Sequence, residues 1–327
     1  PLAHAYGCLF EFLWPMTEGC NITFLSRTPS PQIITEAFRT VKPKLILSVP
    51  LILEKIFKTR IAPQLERPGL KFVLKTPIAN KLVYNKIRKA LYDTFGGEFQ
   101  EMIIGGAALN KDVEEFLRKI DFPITVGYGM TECGPLISYA PSDETRATSA
   151  GRIVTRMQVR IDSEDPYNVV GEIQVKGDNT LLGYYKNEKA TAEVFTEDGW
   201  LHTGDLGIID KDNFIYIKGR SKNMILGPSG QNIYPEEIEA VLNNHELVQE
   251  CLVRDNDGKI EALVYPNYEL TDFTNKNSEE IEEILQKMRK EVNAALPAYM
   301  AIHRIILFPE EFEKTPKKSM KRFKYQK

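Results

Sequence analysis

The sequence predicts an α/β protein whose character changes twice along its length. Up to about residue 150, short apolar runs alternate with helix-length amphipathic patterns, as in a largely buried sheet flanked by helices. From there to Arg220 short β runs follow one another between turn signals, and past Arg220 a small α+β pattern takes over. At roughly 100 to 200 residues per domain, 327 residues allow about two domains, one larger than the other. We place the boundaries at 1–149, 150–220 and 221–327.

Leu45 to Val49 and Gln100 to Ile104 read as strands. Lys111 to Ile120 reads as a helix, because Val113, Phe116, Leu117 and Ile120 recur at helical spacing behind Asn110, a good N-cap. Ile124 to Gly127 follows as a short strand. Val169 to Lys176 and Asn213 to Lys218 are the β runs of the middle region, the second after the turn-like Asp210-Lys211-Asp212. In the last region Pro235 suits the first turn of a helix, Glu236 and Glu237 suit its positive end, and Ile238, Val241 and Leu242 form its apolar stripe. Gln249 to Val253 and Ile260 to Tyr265 flank Asn256-Asp257-Gly258, a hairpin signal. Ser278 is placed to cap a long helix that buries Ile281, Ile284, Leu285, Met288 and Val292 and ends before Pro297.

Composition narrows the function classes. Acidic residues outnumber basic ones by 45 to 42, which disfavours nucleic acid as the main partner. Four cysteines without a C-x-x-C pair, and four scattered histidines, indicate neither a disulfide framework nor a zinc site. The most apolar run, Leu45 to Leu53, is broken by Pro50 and far shorter than the ~18 residues of a membrane span. No signal segment is visible at the start, so a reducing cytoplasmic setting is expected.

Four clusters carry chemistry. Gly105-Gly106-Ala107-Ala108 and the run from Gly127 through Tyr128, Gly129, Met130, Thr131 and Glu132 to Pro135 each follow an apolar strand, where open α/β sheets bind ligands. Taken singly, each is an ordinary tight turn. The second also offers an aromatic face, a hydroxyl and a carboxylate, which can stack a purine, bind a phosphate oxygen and hold Mg²⁺. Thr203-Gly204-Asp205 offers a carboxylate to ribose hydroxyls. Gly219-Arg220-Ser221-Lys222 precedes Gly230-Gln231-Asn232-Ile233-Tyr234-Pro235-Glu236-Glu237-Ile238-Glu239, whose bland reading is a polar linker and a capped helix.

In this order and spacing the four clusters resemble the acyl-adenylate-forming superfamily of AMP-binding enzymes. Pro1-Leu2-Ala3-His4 is similar to a segment of its long-chain fatty acid:CoA ligases. The resemblance implies part of a large adenylate-forming domain, with α/β sheet layers and a small β-barrel-like unit, and then a mobile α+β carboxyl-terminal domain. It implies that a carboxylate attacks the α-phosphate of ATP, and that coenzyme A then displaces AMP. By position, Tyr128 would stack on adenine beside Gly105, Gly106, Ala107 and Gly129, Thr131 would bind the α-phosphate, and Glu132 would hold Mg²⁺. Asp205 and Arg220 would hold the ribose, His4 would lie near the acyl carboxylate, Lys222 would be the hinge, and Gly230 would meet the pantetheine arm. Fatty acid, ATP and CoA are the implied partners, with peripheral contact at a membrane's inner face as a source of lipid.

Two departures stand out. The family's Ser/Thr/Gly-rich phosphate loop, expected upstream of Pro1, does not occur in these residues, so the chain reads as the carboxyl-terminal portion of a longer enzyme. In the tail, Ser319 takes the place of the family's adenylation lysine, and Lys318, one residue earlier, is the candidate for that role; the bland reading is a solvated basic tail. An acyl-AMP ligase that loads a carrier protein, and a catalytically incomplete module that binds nucleotide or acyl-adenylate, stay open as alternatives. Binding of the basic tail to nucleic acid or anionic lipid is a further alternative.

Overall fold

The computed structural model describes residues 4–25, 31–227, 230–268, 273, 275–315 and 320–326. They form two compact units, Pro1–Thr203 with Gly207–Ile217, and Gly204–Leu206 with Lys218–Lys327.

The first unit opens on a parallel sheet of β1 (Leu45–Ser48), β2 (Glu101–Ile104) and β3 (Ile124–Val126), with Leu45 opposite Glu101 and Met102 opposite Ile124. Parallel neighbours need crossover connections, and the helical patterns supply them. Helices including Pro50–Ile56, Pro68–Leu74 and Pro77–Thr94 join β1 to β2, and Lys111–Lys119 joins β2 to β3. The last of these is capped as its sequence predicts: Asn110 Oδ1 accepts the N–H groups of Asp112 and Val113 at 3.0 and 3.2 Å. Met102, Ile104, Leu117, Phe99 and Ile124 pack beneath in one core.

The expected barrel-like unit is two open sheets. β4 (Tyr128–Gly129), β5 (Leu136–Tyr139) and β6 (Arg152–Ile153) form one; β7 (Met157–Asp162), β8 (Gly171–Gly177), β9 (Leu201–Ile209) and β10 (Ile215–Arg220) form the other, in the order β10-β9-β8-β7. No barrel closes among the described residues, because β7 and β10 remain edges and closure requires every edge to be paired. Instead Tyr128 and Ile137 of the first sheet meet Ile161, Ile173 and Val175 of the second in a shared core.

The second unit holds the short pair β11 (Ile225–Leu226) and β12 (Asn232–Ile233), the helix Pro235–Leu242, and a sheet of β13 (Val248–Asn256), β14 (Lys259–Pro266) and β15 (Arg304–Leu307). The predicted hairpin is present. Asp257 and Gly258 both take positive φ, 52° and 76°, and Asn256 pairs with Lys259 across them, the two-residue turn whose twist suits antiparallel strands. The long helix spans Ser278–Ala294, but its cap is Asn277, not Ser278. Asn277 Oδ1 accepts the Glu280 N–H at 2.9 Å while the Glu280 carboxylate accepts the Asn277 N–H at 2.9 Å, a reciprocal pair that the Ser278 register would forgo.

This sheet is covered on both faces. Cys251, Val253, Ala262 and Val264 pack under the helices, whereas Leu252 and Leu263, on the alternate face, pack with Phe312, Phe308 and Tyr325 of the tail. The basic tail is therefore half structural. Arg322 is held by Glu239, Lys314 by Glu250, and Lys321 and Lys324 by Glu313.

Candidate active site

The parallel register of β2 and β3, with Ile104 opposite Val126, brings the loops that follow them to one edge of the sheet. The Gly127 N–H donates to the Ile104 carbonyl at 2.9 Å, and the Gly105 N–H donates to the Ser48 carbonyl of β1 at 3.0 Å. Both glycine-containing clusters thus lie at carboxyl ends of adjacent strands, as sequence reasoning placed them.

The loop from Gly127 to Pro135 is tightly tied. The Met130 N–H donates to the Pro135 carbonyl at 2.8 Å, and a Cβ at Gly129 would overlap that carbonyl, which explains glycine there. Thr131 to Cys133 make a short 3₁₀ turn ended by Gly134 in the left-handed region, φ 59°. Residues that sequence reasoning passed over hold this turn from outside. The Asn179 amide donates to the carbonyls of Cys133 and Leu136 at 2.6 and 2.9 Å, and the Leu181 N–H donates to the Glu132 carbonyl at 2.7 Å. The polar Asp178-Asn179-Thr180 turn after β8 is the only local sign of this role.

Thr131 is exposed and Glu132 half-buried. The Tyr184 hydroxyl donates to Glu132 Oε1 at 3.1 Å, and beside that charge, together with desolvation as the larger cause, the Tyr184 phenol is raised above its ordinary value. Burial pushes the Cys133 thiol up to about 12, so it stays protonated and inert although it neighbours the site. Tyr128, only 8% exposed, sits mostly within the β core.

The opening segment reaches this edge through Tyr6. Its hydroxyl donates to the Ile103 carbonyl at 3.2 Å, and its ring lies where a Cβ at Gly105 would come within 2.9 Å. A side chain at Gly105 would have to displace the Tyr6 ring. Gly106, with φ 87°, and Ala107 are exposed. His4 caps the short helix Ala5–Gly7, its Nδ1 accepting the Tyr6 N–H at 3.2 Å.

The remaining candidates lie in the second unit. Asp205, 4% exposed, pairs with Arg220 Nε at 2.9 Å, while the guanidinium itself stays largely open to solvent. Lys222 is exposed on the single 3₁₀ turn Ser221–Asn223, which Ser221 ties to the Gly204 carbonyl at 3.2 Å. Gly230 is exposed with φ 78°. A cavity of about 300 Å³ is lined by Ile225, Gly227, Ile233, Lys259, Tyr299 and His303, among others. Lys318 and Ser319 lie outside the described residues, as do Pro1 to Ala3; Lys314 and Met320 form an antiparallel bridge.

No group of three His, Cys, Asp or Glu residues among the described ones could enclose a metal ion. A single carboxylate such as Glu132 fits instead the way Mg²⁺ is held beside a nucleotide, by one or two carboxylates, water and phosphate oxygens.

A fold of this kind sets strand-end loops bearing Thr, Glu and glycine at the edge of a parallel sheet, where open α/β sheets bind ligands. Residues 1–185 match the AMP-binding enzyme family and residues 222–327 match the AMP-binding enzyme C-terminal domain. The chain belongs to the AMP-binding enzyme family. It is 32% identical over 236 residues to the long-chain-fatty-acid–CoA ligase FadD15 of Mycobacterium bovis, covering 65% of this chain and 38% of that protein. It is 38% identical over 179 residues to the 2-succinylbenzoate–CoA ligase of Bacillus cytotoxicus, covering 53% and 37%. Among solved structures it shares the fold of O-succinylbenzoate coenzyme A synthetase from Bacillus subtilis in complex with ATP and magnesium ion, with a TM-score of 0.72 and 22% identity over 99% of this chain and 59% of that one. The chain spans less than half the length of these two curated relatives.

Proposed function

We propose that the chain is part of an ATP- and Mg²⁺-dependent long-chain fatty acid:CoA ligase. The observation that carries the reading is that the Gly105-Gly106-Ala107 loop and the segment running from Gly127 through β4 to the Thr131-Glu132 turn leave the ends of adjacent parallel strands. In this reading the exposed Thr131 hydroxyl binds the α-phosphate, and Gly106 and Ala107 lie along the nucleotide. Glu132 holds Mg²⁺, which when bound neutralises phosphate charge. Tyr128 meets adenine with the small part of its ring left open. Asp205 and Arg220 take the ribose, the first as a buried acceptor and the second as its exposed partner. His4 orients the acyl carboxylate, Lys222 serves as the hinge, and the loop at Gly230 admits the pantetheine arm of CoA. The enzyme meets a membrane peripherally to collect its lipid acid.

The similarity to 2-succinylbenzoate ligases supports a second reading, in which the acid is an aromatic one. Pyrophosphate exchange by the full-length protein separates the two: exchange with a long-chain acid and none with succinylbenzoate is expected, and the reverse would replace the substrate. Adding free CoA or an acyl carrier protein then identifies the acceptor. Lys318→Ala should slow adenylation by about 10²- to 10³-fold, the scale of losing one charge-stabilising donor. Unchanged exchange in that variant would remove Lys318 from the mechanism.

A further inference from the structure

From Lys55 to Lys89 the sequence carries ten Lys or Arg residues and a single acid, Glu66, in a chain whose net charge is −3. The proposed ligase site uses none of them. This run forms helices that lead from β1 towards β2, and seven of its cations, Lys55 among them, are exposed. On Pro77–Thr94, Lys81, Lys86 and Lys89 are exposed within one broad face, while Tyr84, Ile87 and Leu91 on the other side enter the core. Arg60, Arg67 and Lys75 of the preceding helical segment are exposed too. Among the described residues none of these six has an acidic partner, in contrast to the paired cations of the tail.

Large apolar side chains stand among these cations. Phe72, on Pro68–Leu74, is 75% exposed, and Leu82, on the helix packed next to it, is 68% exposed. A merely solvated lysine face needs neither. Cations interleaved with outward-facing Phe and Leu are the composition that settles at a lipid interface, where the apolar groups enter the acyl boundary and the lysines meet anionic headgroups. Nucleic acid would match the charge but not the protruding aliphatic side chain.

We infer that the helical face of residues 60–89 is a docking surface for an anionic lipid bilayer. Its use, bringing the enzyme to a membrane-dissolved acid, rests on the ligase reading above; the binding itself does not. The test is co-sedimentation of the chain with phosphatidylcholine vesicles that contain or lack phosphatidylserine, without ATP or CoA. Binding is expected only with phosphatidylserine and should fall as salt is raised. The triple variant Lys81→Gln/Lys86→Gln/Lys89→Gln should bind about a hundredfold more weakly, at roughly a factor of five per lysine. Phe72→Ser/Leu82→Ser should also weaken vesicle binding, at unchanged circular dichroism. Equal binding by wild type and both variants, or no binding by wild type, overturns the inference. So does retention of duplex DNA instead of vesicles, lost in the triple-lysine variant, which would assign the face to nucleic acid. Vesicle binding by a full-length protein that catalyses no pyrophosphate exchange would keep this inference and sink the ligase reading.

Discussion

The chain has two basic runs, and the fold treats them in opposite ways. In the tail, lysines and arginine fold back on acids: Arg322 on Glu239, Lys314 on Glu250, Lys321 and Lys324 on Glu313. Between Arg60 and Lys89, six cations of the same types, Arg60, Arg67, Lys75, Lys81, Lys86 and Lys89, face water, and among the described residues none of them has such a partner. The difference lies in what the backbone brings near. The tail returns across a strand and a helix that carry Glu250 and Glu239 and brings Glu313 with it, whereas the helices after β1 turn their acid-poor side outwards. A count of charges along a sequence does not separate a scaffold from a docking face; pairing does.

The comparison can be tested from the tail side first. Phe312→Ala should cost about 3 to 5 kcal/mol in urea denaturation, because a ring stacked on Phe308 and buried against Leu252 and Leu263 leaves a cavity. A loss below about 1 kcal/mol would mean that the tail does not cover the sheet.

Next comes the Arg322–Glu239 pair. Burial pushes the Glu239 carboxyl up to about 7 against the pull of Arg322 and of the Val253 N–H, which it accepts at 2.6 Å. Its ordinary value is 4.5, so the folded state holds a proton that the unfolded state has released between these values. The stability from this group is full below that window and is lost as pH rises through about 7. Glu239→Gln should flatten this part of the stability profile. Arg322→Met should cost about 3 kcal/mol near pH 8, where it strands a buried carboxylate, and much less near pH 5. A cost that does not change with pH would show that Arg322 acts by packing alone.

The smallest effect is expected on the other run. Lys81→Gln/Lys86→Gln/Lys89→Gln should leave denaturation within about 0.5 kcal/mol of wild type, since exposed unpaired lysines contribute little to folding. A large loss would erase the contrast between the two runs.

Local chemistry was legible in advance. The Asn110 cap, the Asp257-Gly258 turn and the three strands that present the loops are all found, each strand differing by one residue at one end. These depend on neighbours a few positions away. What stayed hidden depends on distant partners: Asn179 and Tyr184 reach a turn 46 and 52 residues upstream, and Tyr6 reaches Gly105 from the opening segment. Ser278 was a fair cap by residue type, yet Asn277 wins because only its register gives Glu280 a reciprocal bond. The open sheets in place of a barrel follow from pairing that no single strand encodes. At the site, residue types placed Thr131 and Glu132 correctly at a strand end, but not that Tyr184 would already occupy one oxygen of the carboxylate.

The two-sided cover of the small-unit sheet also sets an order of events during synthesis. β13 and β14 leave the ribosome about fifty residues before Phe312 and well before Tyr325, so one face of the newborn hairpin, with Leu252 and Leu263, waits wet and adhesive until the segment from Phe308 to Tyr325 arrives. A nascent chain stalled in that interval would display a bare apolar sheet, a natural target for a holding chaperone.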